Sequence, residues 1–205
     1  MKTLIVAATS FEIQPFLEKK LDYTSCETLI TGVGMTNTAY QLGKHLANNH
    51  YNLIINVGIA GSFDKNLMIG EVLEITEDRF AELGAEDGET FLPIEVLGFG
   101  QSVYFSTTPP DWKPRLEPYK KCTAITVNKV HGHEQSIENI RRRLPSVSLE
   151  SMEGAAVFMA AAEENIPVIQ LRSISNYVER RDRENWNIPL AIKNLNFQLL
   201  DLLSR

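Results

Sequence analysis

Three short segments of this chain hold carboxylates or an amide where an α/β fold gathers functional groups. They are Glu12, just after the first apolar run, Ser151-Met152-Glu153-Gly154-Ala155-Ala156, and Arg172-Ser173-Ile174-Ser175-Asn176. Each ends or follows an apolar stretch, so one sheet can bring all three to a common edge. Two carboxylates and an amide around one pocket suit cleavage of a nucleoside's N-glycosidic bond. One carboxylate activates water, the other holds the ribose hydroxyls, and the polar side chain meets the base.

The elements that must position these groups follow from the apolar pattern. Leu4 to Ala8 has strand length, and Thr9-Ser10-Phe11-Glu12 reads as a capping box opening a helix toward Leu17. Leu29-Ile30 leads into a strand-to-helix turn at Thr31-Gly32-Val33-Gly34-Met35, and the helix from Asn37 to Leu46 stops at Asn48-Asn49. Leu53 to Val57 is a continuous apolar run of the kind buried on both faces, after which Gly58-Ile59-Ala60-Gly61-Ser62 is expected to form a second glycine turn. Val72 to Ile75, Ser102 to Ser106 and Thr123 to Val127 are further strands. Asp78 to Gly98 is assigned to a variable loop because Gly84, Gly88 and Pro93 break any long element. The proline-rich stretch from Thr108 to Pro118 is expected to be an ordered surface loop. A helix from His133 to Leu144 ends in Arg141-Arg142-Arg143, read as a solvated face that complements the helix dipole. A small-residue helix from Gly154 to Glu164, a strand from Val168 to Arg172 and a long helix from Leu190 to Leu203 close the chain. Strand and helix alternate, so residues 1–205 are read as a single three-layer α/β/α domain with a central mixed sheet.

With 43% hydrophobic residues in 205, the chain can bury one substantial core. A net charge of -6 argues against a nucleic-acid surface, which relies on clustered Lys and Arg, and favours a small-molecule ligand. The first apolar run passes into Thr-Ser-Phe-Glu without a cleavage-like region, and no apolar run nears the length of a membrane span. The expectation is a soluble, cytoplasmic protein with no membrane partner. Cys26 and Cys122 lack metal-ligand spacing and are expected to be two buried thiols. His131-Gly132-His133 is a weak ligand pattern, better read as a loop preceding a helix, so no metal is expected. Gly32-Val33-Gly34 lacks the third glycine of a dinucleotide fingerprint, and there is neither a GxxxxGKS/T loop nor a GxSxG elbow, so no cofactor is expected.

Glu12, Thr31 to Gly34, Asn56 to Ser62, Ser151 to Ala156 and Arg172 to Asn176 together resemble the nucleoside phosphorylase and nucleosidase superfamily, in order over nearly the whole chain. Within it, Asp78 to Gly88, Thr126 to Gly132 and Ser175 to Trp186 resemble the futalosine hydrolases of the alternative menaquinone pathway. That resemblance implies the nucleoside phosphorylase/hydrolase fold and hydrolysis of futalosine to hypoxanthine and dehypoxanthine futalosine, by a homodimer or larger homo-oligomer. The alternatives are a purine nucleosidase for methylthioadenosine, S-adenosylhomocysteine or inosine and, in another class, a non-catalytic nucleoside-binding protein.

Local sequence makes Glu12 the partner of Thr9 in the capping box, whereas the resemblance makes it the general base toward water. Glu153, locally a first-turn carboxylate, becomes the ribose ligand that favours positive charge growing on the sugar, with Met152 as an apolar wall. Asn176 stands where the resembling methylthioadenosine nucleosidases carry an aspartic acid that protonates adenine N7. An amide cannot donate a full proton. It can accept from a protonated N7 while donating to a carbonyl at C6, which fits hypoxanthine, although the flipped amide also pairs with adenine. The N7 proton is then left to solvent or Asp182. Val130, Ser151 and Arg180 are further substrate-binding candidates, and the benzoate of futalosine is left to one of Arg180, Arg181, Arg183, Lys129 and His131. Asn56 to Gly61 and Thr9 to Phe11, near which phosphorylases hold phosphate with arginines, contain no cation, so water is the expected nucleophile.

Overall fold

The apolar run at Leu53 becomes the central strand, and its alternation decides the layers. The computed structural model describes residues 2–19 and 26–204. In chain order the elements are β1 (Thr3–Ala7), α1 (Ser10–Glu18), β2 (Cys26–Ile30), α2 (Met35–Leu46), β3 (Leu53–Ser62), β4 (Val72–Phe80), β5 (Gly84–Asp87), β6 (Thr90–Pro93) and β7 (Val103–Phe105). They continue with α3 (Lys113–Leu116), β8 (Lys121–Thr126), α4 (Glu134–Arg143), β9 (Leu149–Ser151), α5 (Gly154–Glu163), β10 (Val168–Tyr177) and α6 (Ile188–Ser204). Leu53, Ile55 and Val57 join Ile5, Ala7, Ile169 and Leu171 beneath Ile13 and Phe16 of α1 and Leu195, Leu199 and Leu202 of α6. Ile54, Leu4, Val6 and Val168 face the other way, onto Leu42 and Leu46 of α2 and Val157 and Phe158 of α5. Period-two alternation thus buries both faces of one sheet under two helical layers.

The sheet curls shut at one end. β3 pairs with β10 in parallel, β10 with β4 antiparallel, β4 with β8 and β8 with β9 in parallel, and β9 returns antiparallel to β3. Ala60, Leu73, Ile75, Ala124, Leu149 and Ile174, drawn from all five strands, form one buried cluster that fills this ring. β1, with β2 beyond it, pairs with the first half of β3 on the edge whose last residues take β9.

Several expectations are corrected. Gly58 to Ser62 is not a turn: β3 runs straight through it, because its second half is needed to pair with β9 while β10 follows its whole length. The glycines there admit close neighbours instead. Asp78 to Gly98 is not a loop either. β4 continues to Phe80, and β5 and β6 form a hairpin turning near Gly88 at φ +62, so the glycines and Pro93 mark the hairpin's ends. The proline-rich connector folds into a 3-10 turn over Pro110–Trp112 and into α3, each with proline in its first turn, and drops Trp112 and Leu116 into the core under α6. Arg141 and Arg143 are not merely solvated. Their guanidinium groups donate to the carbonyls of Phe63 and Ala81 at 2.7 Å each, tying α4 to the strand ends. Both cysteines are half-buried, and burial pushes the Cys122 thiol up to about 12. Among the described residues no helix is long and apolar enough to cross a membrane.

Asp78, fully buried on β4, accepts from Gln170 Nε2 at 2.8 Å and from Thr126 Oγ1 at 2.9 Å, and Thr126 Oγ1 accepts from Ala155 N in the first turn of α5. Burial pushes its carboxyl up from 3.8 to about 6, against the pull of Gln170, Arg172 and Thr126. Folded-state proton affinity above the unfolded one means that stability from this group is present below about pH 4 and lost as pH rises through about 6. Asp78→Asn abolishes that dependence. In denaturant titrations the variant's unfolding free energy should gain on wild type by something of the order of 3 kcal/mol between pH 4 and pH 8.

Candidate active site

Glu12 is held from three directions. Thr9 caps α1 with extended backbone, and the reciprocal capping box forms: Thr9 Oγ1 accepts from Glu12 N, while Glu12 Oε2 accepts from Thr9 N at 3.1 Å and Thr9 Oγ1 at 3.0 Å. Oε1 accepts from Ile59 N on β3 at 3.1 Å. The helix behind it is kinked at Ile13 beside Pro15, and Asn196 of α6 inserts its amide there. Asn196 Nδ2 donates to Glu12 O at 2.8 Å and its Oδ1 accepts from Phe16 N at 3.0 Å, so one side chain serves both ends of a four-residue helical step.

Arg172, 2% exposed, lies across from Gly58 in the β10–β3 register. A Cβ on Gly58 would stand 2.7 Å from Arg172 Nη1 and 3.0 Å from Glu12 Oε1, so the missing side chain is what lets cation and carboxylate converge. Nη1 donates to Asn56 Oδ1 at 3.5 Å, Asn56 Nδ2 to Gln170 Oε1 at 3.1 Å, and Gln170 Nε2 to Asp78. A donor-only guanidinium at one end and an acceptor carboxylate at the other fix the direction of both amides. Nε and Nη2 of Arg172 are buried without a protein partner among the described residues.

Glu153 precedes α5, and its Oε1 accepts from Gly34 N at 2.9 Å. Gly34 sits at φ +95, a backbone that side-chain-bearing residues rarely adopt, which is why this turn needs glycine. Burial raises the Glu153 carboxyl, Arg172 and the N–H of Gly34 oppose that, and the nearby Glu12 adds to it. Asn176 follows a bulge in β10: Ile174 pairs with Ala60 and Asn176 with Gly61, leaving Ser175 extra. The bulge re-aims the amide, which accepts from Ser175 Oγ at 2.8 Å and donates to Tyr177 O at 3.0 Å. Glu12 and Asn176 thus meet β3 two residues apart, about 7 Å along the strand.

Ser151 is buried, and its Oγ accepts from Gly154 N at 3.4 Å; Met152 beside it is half-buried. Val130 packs with Phe63 and Val178. Arg180 and Asp182 line an open cavity of about 1090 Å³ with Arg141 and Arg181, and its lining includes neither Glu12 nor Glu153. Asp182 caps the turn at Arg183–Asn185, accepting from Glu184 N. Sequence reasoning gave no role to Arg172 or to the pairing of His131 with Glu150. The signal for Arg172 was present: a cation stands within the buried strand that starts at Val168. The second glycine segment itself contains no cation, but one arrives beside it from β10.

A family match now bears on this arrangement. Residues 2–197 match the phosphorylase superfamily. The chain belongs to the phosphorylase superfamily. Among its members, a futalosine hydrolase of Acidothermus cellulolyticus is 33% identical over 178 residues, covering 83% of this chain and 72% of that one. A futalosine hydrolase of Streptomyces coelicolor is 31% identical over 175 residues, covering 82% and 74%. The fold matches a 5'-methylthioadenosine/S-adenosylhomocysteine nucleosidase of Neisseria meningitidis in complex with methylthio-immucillin-A, with TM-score 0.82 at 16% identity over 100% of this chain and 99% of that one.

Gly58→Ala should leave the fold cooperative but displace Arg172 or Glu12. Turnover is expected to fall by about 100-fold, as for a misplacement near 1 Å, with little change in the melting transition.

Proposed function

We propose that this protein hydrolyses the N-glycosidic bond of futalosine, releasing hypoxanthine and dehypoxanthine futalosine within a menaquinone-forming route, as a cytoplasmic homodimer or larger homo-oligomer. The observation that carries this reading is Glu12, clamped by Thr9 and Ile59 N beside a buried arginine. A carboxylate fixed in that way is preorganised to take a proton from water attacking C1′. Arg172 sets a fixed positive charge beside that carboxylate. Glu153, tied to Gly34, accepts from the ribose hydroxyls and stabilises the cationic sugar, and Met152 walls it. Asn176 pairs with the N7/O6 edge of the base, with Val130 and Ser151 lining the same end. Arg180 and Asp182 belong to the substrate's approach through the turn after β10.

Electrostatics favours water over phosphate. Arg172 brings one positive charge, whereas Glu12 and Glu153 bring two carboxyls and Asp78 lies behind. An incoming phosphate anion meets repulsion that a neutral water does not.

Purified protein should release hypoxanthine from futalosine at the same rate with and without phosphate. It should release little base from inosine or methylthioadenosine. Glu12→Gln should keep ligand affinity and lose about 10²- to 10⁴-fold in turnover. Adenine release from methylthioadenosine as the dominant activity would reassign the substrate, and binding without turnover in wild type would make this a binding protein.

A further inference from the structure

One chemical need remains unmet. Hypoxanthine departs with the electron pair of the C1′–N9 bond, and the amide of Asn176 has no proton to give it. A titratable pair packs against the same point of β3. Asn176 Nδ2 and Glu150 Cγ lie 3.3 and 3.6 Å from where a Cβ on Gly61 would stand, because β9 pairs Glu150 with Gly61.

Glu150, 4% exposed, commits both carboxylate oxygens to one residue: Oε1 accepts from His131 N at 3.0 Å and Oε2 lies 2.7 Å from His131 Nδ1. An ionised carboxylate only accepts, so Nδ1 carries a hydrogen and Nε2 is the nitrogen at which the ring gains or loses its proton. The ring is further held edge-on by Phe63, centroids 6.2 Å apart, within the cluster that contains Val178 and Val130. Nε2 makes no hydrogen bond among the described residues, and it is not sealed off as Nε and Nη2 of Arg172 are.

We propose that His131 Nε2–H gives its proton to N7 of the departing base, with Glu150 as the positioning residue that fixes ring and tautomer. This rests on the nucleosidase reading above. Water adds to C1′ and yields a proton to Glu12, the C1′–N9 pair passes to the base, and N7 takes the proton from Nε2. Neutral hypoxanthine leaves, and the now neutral imidazole keeps its Nδ1–H bond to Glu150. Solvent reprotonates Nε2 as Glu12 releases its proton, so the net reaction consumes one water. The placement also takes His131 away from the substrate's benzoate and gives it to N7, which leaves Asn176 to donate to O6.

The test compares wild type, His131→Gln and Glu150→Gln on futalosine analogues whose purines are graded from hypoxanthine to strongly electron-poor bases. Wild-type kcat/KM should vary little along the series. His131→Gln should lose about 100-fold or more with hypoxanthine and regain most of it as the base becomes a better leaving group unaided; Glu150→Gln should follow the same trend with a smaller loss. Loss by one factor across the whole series, or no loss with hypoxanthine, overturns the proposal. So does a steep dependence in wild type itself, a readout that does not require the variants to fold. Absence of base release by wild type from every analogue defeats the nucleosidase reading, and this proposal with it.

Discussion

The burial of the Arg172 guanidinium is the constraint around which this site is organised. A guanidinium does not shed its charge at any pH a protein survives, so its removal from water has to be balanced by neighbours. Here the balance is supplied by a chain of buried side chains, Asn56, Gln170 and Asp78, and by the fields of Glu12 and Glu153. Gly58 is fixed by the same demand, since any Cβ would collide with the guanidinium. The Asp78 end of the chain also orders the start of α5 through Thr126, so the support of Arg172 and the support of Glu153 share one buried carboxylate. The network orders the Nη1 side of the guanidinium, while Nε and Nη2 have no protein partner among the described residues.

β3 acts as the ruler of the site. Its backbone N–H at Ile59 fixes Glu12, its Gly58 receives Arg172, and its Gly61 receives Asn176 and Glu150. The strand can do this only because the sheet curls: an open, flat sheet would leave β9 too far away to pair with residues 61 and 62. The closure and the convergence of functional groups are therefore one geometric event.

Much of this was legible in the sequence. The capping box at Thr9, the strand-to-helix turn at Gly32 to Gly34, the buried run at Leu53 and the helix behind Glu153 are written in local patterns of one period each, and the structure has them. What escaped was long-range. Gly58 and Gly61 look like turn residues when read locally, and their purpose emerges only once Arg172, Asn176 and Glu150 arrive from strands more than eighty residues away. Asp78 lies in a stretch broken by glycines, which hid the continuation of β4 and with it a buried carboxylate. The acidic partner of His131 stayed hidden because Glu150 is adjacent in space and not in the chain.

The amide of Asn196 stands in for a missing step of the first helix, bonded to Glu12 O and Phe16 N across separations of 184 and 180 residues. The segment bearing the most exacting carboxylate is thus finished by α6, an element remote from it in sequence. A fold in which α6 is not docked would lose that bridge, so the ordering of Glu12 depends on a long-range contact and not on its own helix alone. Placement of this carboxylate is therefore a property of the closed fold, and loosening α6 would loosen Glu12 with it.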